Sequence, residues 1–285
     1  YELKSVIRQA EDSNIIKYAT EVRKIQDRIN NGEKIPIKTK LKPILNPNSD
    51  DLLILNDSKE FLRMMIEDFK SDEYKNSSNY VKCIAYRNNS ISKINSLIRR
   101  NIFGENVDLI CVGENITLNS PVIDPYTGFN LYDSSDELEI TDIIETAIYN
   151  NREDHHGVLI KFPYYKCLVT RRYDGLNGEM NIINPNFKEK FDADVSEWGK
   201  AIKKEEKHKD IYRLEYYPFK ANFHSVSYNY SATSHKVQGG TYNRIYLVED
   251  DVEQVSKATD LNLWKSKYVG YTRASKKLII LNRHK

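Results

Sequence analysis

The sequence is poor in anything that would fix its structure by covalent or metal chemistry. Its three cysteines, Cys83, Cys111 and Cys167, are odd in number and widely spaced. That argues against a disulfide framework or a zinc site and points to a reducing compartment. No run approaches the roughly 18 apolar residues of a membrane span, so no membrane partner is expected. No signal-peptide pattern stands at the start. An excess of one charge is lacking too: 43 Lys and Arg against 41 Asp and Glu leave a net charge of +2. So small a balance gives no global field for attracting nucleic acid, and any polyanion must be met by local clusters. There is no internal repeat and no low-complexity tract.

What is present is ordinary for a soluble globular protein: 40% hydrophobic and 29% charged residues over 285 positions, enough for one large domain or two modest ones. Tyrosine stands out, with 20 residues against nine Phe. Tyrosines can stack on bases, but half-buried sheet and surface positions account for most of them. The richness in Lys, Asn, Ile and Tyr suits an AT-rich genome such as a phage's. The expected location is the cytoplasm of a bacterial or phage-infected cell.

The first hundred residues alternate helix and strand patterns. Ile15, Ile16, Ala19, Val22 and Ile25 recur at helical spacing. A polar, Pro-containing stretch runs from about Asn30 to Asp51, and the apolar run Leu52–Leu55 follows. Asp57 with Glu60 three residues on marks a helix start, and Phe61, Leu62, Met65, Ile66 and Phe69 form its apolar face. Val81 to Tyr86 reads as a buried strand, with Cys83 inside it. Ser90 is placed to cap the next helix, which carries Ile91, Ile94, Leu97 and Ile98. Such repeats imply a parallel sheet covered by helices.

The pattern changes after about Phe103. Short β-like runs (Ile116–Leu118, Leu138–Ile144, Val158–Phe162, Tyr165–Thr170) are separated by Pro121, Pro125, Gly128 and Asp174-Gly175, as expected for a small antiparallel module. An amphipathic helix with Phe187, Phe191, Val195, Trp198 and Ile202 follows, with Asn186 and Glu189 as its caps. Its charged tail, Lys203–Lys207, reads as a solvated face. The α/β pattern then returns: Val226, Tyr228 and Tyr230 alternate as a strand, Ile245–Val248 and Leu278–Leu281 are two more, and Leu263–Thr272 is a helix.

Four segments carry chemistry. Ser231 to Tyr242 contains Thr233, His235, Lys236 and the Gly239-Gly240 pair. A strand ending in hydroxyls, His and Lys that turns through glycines into a helix offers N–H groups to an anion, although an ordinary strand-to-helix connection has the same appearance. Tyr268 to Lys277 places Arg273 at a helix end, where an arginine suits a phosphate or simply the helix dipole. Val6 to Ala10 contains Arg8 and Gln9. Cys83 to Ser90 delivers Arg87, Asn88 and Asn89 at the carboxyl edge of a strand, where open α/β sheets bind ligands. There the Asn pair makes an equally good turn.

Together, in order and spacing, the four resemble the C-terminal motifs of superfamily 1 helicases. His235-Lys236-Val237-Gln238-Gly239 resembles motif V, T-x-H-K-x-Q-G. Tyr268 to Ala274 resembles motif VI with its V-A-x-T-R-A core, and Arg8-Gln9 resembles the R-Q of motif IV. Ile84 to Asn95 resembles a further DNA-facing strand and helix. The pattern is that of the Dda- and RecD-type enzymes of the B branch, and it covers nearly the whole chain, the middle part only loosely.

The resemblance implies the second RecA-like motor domain, a parallel sheet with helices over residues 1–107 and 223–285. A small antiparallel, Src-homology-3-like β-barrel interrupts it over residues 108–222. It implies that Arg8 and Arg273 reach the γ-phosphate of ATP, and that Gln9, Gly239, Gly240 and Thr241 lie beside the nucleotide. It further implies that Thr233, His235, Lys236, Asn88 and Arg87 contact single-stranded DNA. Gly270 departs from the usual Ala of motif VI. Thr241 stands where many relatives have Glu, which puts a ribose contact in doubt.

The phosphate-binding sequence G-x-x-x-x-G-K-[ST] is missing. So is an Asp-Glu pair closing an apolar strand to hold magnesium, and Glu249-Asp250-Asp251 reads as a solvated turn. Phosphoryl transfer needs phosphate loop, metal and positioned water, so this chain alone is expected to be inactive. ATP and Mg2+ would be bound mainly by an N-terminal RecA-like domain preceding Tyr1. The whole would be an ATP-dependent 5′→3′ DNA helicase, and the β insertion could recruit a replication or recombination protein. The alternative is a non-catalytic nucleic-acid-binding or protein-docking module derived from a helicase.

Overall fold

The computed structural model describes residues 12–77, 79–124, 128–134, 136–151, 156–253 and 260–283. Along the chain run α1 (Asn14–Asn30), β1 (Leu52–Leu55), α2 (Ser58–Lys70), α3 (Asp72–Asn76), β2 (Val81–Ala85) and α4 (Asn88–Phe103). Then come β3 (Asn115–Leu118), β4 (Val122–Ile123), β5 (Asn130–Tyr132), β6 (Glu137–Asn151), β7 (Ile160–Arg171) and β8 (Asn177–Ile183). The remainder is α5 (Lys188–Ile202), α6 (His208–Ile211), α7 (Tyr217–Asn222), β9 (Val226–Tyr228), β10 (Ser231–Thr233), β11 (Tyr242–Val248), α8 (Glu249–Glu253), α9 (Asp260–Thr272) and β12 (Ala274–Leu281). These elements divide into two compact units, one joining the residues up to Glu105 with those from Tyr230 onward, the other spanning Asn106–Asn229.

The first unit is a five-stranded parallel sheet in the order β1-β12-β11-β2-β10. Its central strands are apolar on both faces, as strands covered by helices must be. Ile245, Leu247, Leu278 and Ile280 pack with Ile15, Val22, Trp264 and Tyr271 from α1 and α9. The alternate residues face the other way, where Phe61 of α2 meets Tyr246 edge-on at 5.4 Å. Phe69 meets Tyr230 there in the same manner. Each Ile or Leu so buried contributes about 2 kcal/mol.

Helix starts are set by oxygen acceptors. Asp57 caps α2, accepting from the Lys59 N–H at 2.8 Å. Ser13 caps α1, and its hydroxyl donates to Asp51 at 2.5 Å. Asp51 also accepts from Ser49 and from the N–H groups of Asn14 and Ile15. Burial works to raise its pKa, and these donors outweigh it and hold the carboxyl below the usual range. The Pro-containing stretch before β1 is thereby tied to α1. Asn14 strengthens the tie by bonding Asn46 and Ser49.

The second unit is antiparallel, in the order β8-β7-β6-β3-β9. It closes on itself, because His224, just ahead of β9, bridges Ile182 of β8, exchanging backbone bonds with Asn181 and Ile183. Ile116, Leu138, Ile140, Val169 and Ile182 fill the interior. Helix α5 packs Phe191, Val195, Trp198 and Ile202 against Ile160 and Phe162.

Two sequence expectations need correction here. Val226 and Tyr228 belong to β9, which pairs with β3 in the second unit. Only Tyr230 belongs to the returning parallel unit, and the compact units divide at 105/106 and 229/230. An alternating triplet fits either sheet, and pairing alone decides. The cap near α5 is Asn184, which accepts from Asn186 and opens a short 3-10 turn. Neither Asn186 nor Glu189 performs it.

Burial lowers the His224 pKa from 6.5 to about 4. Between those values the unfolded chain binds more protons than the folded one, so stability falls as pH falls. We expect the urea midpoint of the second unit to drop from pH 6.5 to pH 4, and His224→Gln to remove that dependence.

Candidate functional site

The residues of interest fall at the two edges of the parallel sheet. At the amino ends of β11 and β12 lies Arg273, between Thr272 of α9 and Ala274 of β12. Its guanidinium donates from Nη1 to the Gly240 carbonyl at 3.1 Å and from Nη2 to Thr272 Oγ1 at 3.3 Å. Its own carbonyl accepts the Tyr242 N–H at 2.9 Å. Arg273 therefore grips the chain on both sides of Thr241. Gly239 has φ +90°, a conformation that favours glycine. A Cβ on Gly240 would lie 3.0 Å from the Tyr242 ring, and the buried Lys82 ammonium sits 5.1 Å from that ring's centroid. The predicted nucleotide-side residues Arg273, Gly239, Gly240 and Thr241 are thus neighbours. Arg8 and Gln9 lie outside the described residues.

The helix expected after the glycine pair is absent. Residues 234–239 form consecutive turns, with N–H bonds from Lys236 and Val237 to Thr233 and from Gly240 to Val237. The chain enters β11 directly at Tyr242. Val237 is buried in the same apolar cluster as Ile84 and Tyr242, so this short crossover covers the sheet without a helix. Gly270, the departure from motif VI, has its own reason: a Cβ there would come within 3.0 Å of Leu247 Cδ1, so glycine lets α9 lie close to β11.

At the carboxyl edge, Thr233 ends β10, and His235 and Lys236 follow it, both exposed. Asn88, also exposed, opens α4 at the end of β2. Arg87 stands beside it but is committed elsewhere, with Nε and Nη2 both 2.6 Å from Asp251 Oδ1. Ser90 is not the cap of α4, since it sits inside the helix and donates to the same oxygen at 2.6 Å.

The acidic run that supplies this partner overturns the solvated-turn expectation. Glu249, Asp250 and Asp251 are 1%, 0% and 3% exposed. Asp251 also accepts the N–H groups of Tyr86 and Arg87 at 2.8 and 2.7 Å, replacing a side-chain cap for α4. Burial alone would raise its pKa, and the four donors hold it below the usual carboxylate range. Asp250 accepts from the Arg283 backbone and Nε. Glu249 accepts from Tyr271 and Asn282, and Lys267, 2% exposed, lies 3.3 Å away. The available signal was position, because three carboxylates directly after an apolar strand enter the sheet's edge and need partners.

Among the described residues, no group of three or more His, Cys, Asp or Glu side chains is arranged to hold a metal ion. No helix among them is long and apolar enough to cross a membrane.

No protein-family model matches the chain, and no curated protein matches it. Among solved structures, the Pif1 helicase from Bacteroides in complex with ADP-AlF3 and ssDNA aligns over 100% of this chain and 52% of its own. Identity there is 15% and the TM-score 0.41. Two coordinating Pif1 helicases at forked dsDNA align over 99% and 49%, at 14% identity and 0.38. The Pif1 helicase from Candida albicans aligns over 98% and 55%, at 14% and 0.35. The chain spans about half the length of these proteins. Likenesses this loose leave the chemistry to be argued from the residues.

Asp251→Ala leaves two backbone N–H groups, a hydroxyl and an arginine without their acceptor. It should cost about 3 kcal/mol in denaturant unfolding. Arg87→Ala, which removes one donor of four, should cost about 1 kcal/mol, and Lys236→Ala nothing measurable. Equal, negligible losses in all three would show that Arg87 is not part of the scaffold.

Proposed function

We propose that this chain is the second motor half of an ATP-dependent DNA helicase of superfamily 1. The observation that carries this reading is the double grip of Arg273 on the Gly239–Thr241 turn. It joins two segments more than thirty residues apart, the same two that resemble motifs V and VI. A guanidinium stays charged at any ordinary pH and matches phosphate oxygens. In this reading Arg273 would meet the γ-phosphate of ATP bound by a preceding RecA-like domain, and the glycine turn would lie along the nucleotide. Arg8 and Gln9 would complete the set.

The Mg2+ of such a reaction would belong to the preceding domain. The half-buried Thr233 and the exposed His235, Lys236 and Asn88 would hold backbone phosphates of single-stranded DNA without reading sequence. Arg87 would act through Asp251 as a positioning residue. Cleft closure on ATP and opening after hydrolysis would shift this grip along the strand. The 5′→3′ direction and membership of the B branch rest on the resemblance of motifs. Recruitment of a replication or recombination protein by the β-rich unit is part of the same proposal.

In the full-length protein, Arg273→Ala should leave ATP binding near normal and lower ATP hydrolysis by a factor on the order of a thousand. Hydrolysis at the unaltered rate would refute the role given to Arg273.

A further inference from the structure

The carboxyl end of β10, Tyr86 at the end of β2, and the first two turns of α9 enclose an open hollow of about 260 Å³. Ser234, His235, Asn262, Lys265 and Ser266 are among the residues of its wall, and among the described residues no carboxylate lines it. Another hollow in this unit is walled by Glu249 and Glu253 together with Lys38, Lys40 and Lys267, so its charges are mixed.

Ser234 is only 4% exposed, and among the described residues its hydroxyl has no hydrogen-bond partner. Buried polar groups are almost always paired, and an unmade bond of this kind is costly, so a partnerless hydroxyl on a residue lining a hollow is a donor for a ligand there. Lys265 is exposed on α9, and among the described residues it forms no ion pair. A buried donor and an unneutralised cation in one wall select an anion with hydrogen-bond-accepting oxygens.

We propose that this hollow is a phosphate subsite for one phosphodiester of a single strand, with Lys265 supplying the charge and Ser234 the hydrogen bond. It rests on the single-strand reading above. It adds to that reading a contact from α9, outside the residues singled out from the sequence.

The test uses the 285-residue chain, a labelled oligothymidine and a salt titration. Lys265→Ala should weaken binding about tenfold at low salt and reduce the log–log salt slope by about 0.7, the value for one phosphate on a single strand. Lys265→Arg should restore both. Ser234→Ala should weaken binding about threefold with the slope unchanged while keeping or raising the melting temperature, whereas a structural hydroxyl would lower it. Wild-type binding with affinity and slope unaltered in Lys265→Ala and Ser234→Ala overturns the subsite and leaves the single-strand reading standing. No oligothymidine binding by the wild-type chain overturns that reading itself. ATP binding that Lys265→Ala abolishes while oligothymidine binding persists assigns the hollow to a free nucleotide's phosphate, and overturns the strand as its source.

Discussion

Three consecutive carboxylates at the end of one strand set the arrangement of the parallel domain. A buried charge is tolerated only where it is paired and hydrogen-bonded, and Glu249, Asp250 and Asp251 each satisfy that requirement with a different part of the chain. Glu249 holds Tyr271 of α9 and Asn282 beyond β12. Asp250 holds Arg283, and Asp251 holds the start of α4. Strands β2, β11 and β12 lie side by side, and a shift of either neighbour against β11 would leave a buried carboxylate without its partner. The hydrophobic faces would tolerate several packings of similar volume, whereas these directional bonds tolerate one.

From that anchoring follows the position of both candidate surfaces. Asp251 fixes where α4 begins, and hence where Asn88 emerges. Glu249, through Tyr271, fixes the last turn of α9, and hence the residue that follows it, Arg273. The same helix carries Lys265 and Ser266 in its earlier turns, at the opposite edge of the sheet. Thirteen helical residues span about 20 Å, so one rigid element sets the spacing between the amino-edge arginine and the carboxyl-edge hollow. Glycine at position 270 belongs to this arrangement. It carries the usual helix penalty of about 1 kcal/mol relative to Ala, and in exchange α9 lies close against Leu247.

Much of this was legible in the residues. The helical spacing of Ile15 to Ile25, the Asp57 cap, the apolar strands at Val81 and Ile245 and the change to antiparallel pattern after Phe103 all have direct physical signatures. The proximity of Arg273 to the glycine pair was legible only through the resemblance of motifs. What could not be read is long-range by nature. Val226 and Tyr228 alternate equally well in either sheet, and only the partner strand, β3, settles the matter. The closing bridge between His224 and Ile182 has no local pattern at all.

The acidic run shows most clearly where local reading fails. Glu-Asp-Asp after a strand has the composition of a solvated turn, and charge patterning alone favours that reading. The same logic made Arg87 look like a ligand contact, because an exposed arginine at a strand's carboxyl edge has the form of a binding residue. The solvated-turn reading fails because the run is buried against distant partners, and Arg87 is the partner of Asp251 across 164 residues. An exposed charge at a functional edge therefore argues for binding only once the buried counter-charges around it are accounted for. Arg87 meets that criterion only in part, because its Nε and Nη2 are held by Asp251. Lys265, exposed over a hollow that no carboxylate among the described residues lines, meets it.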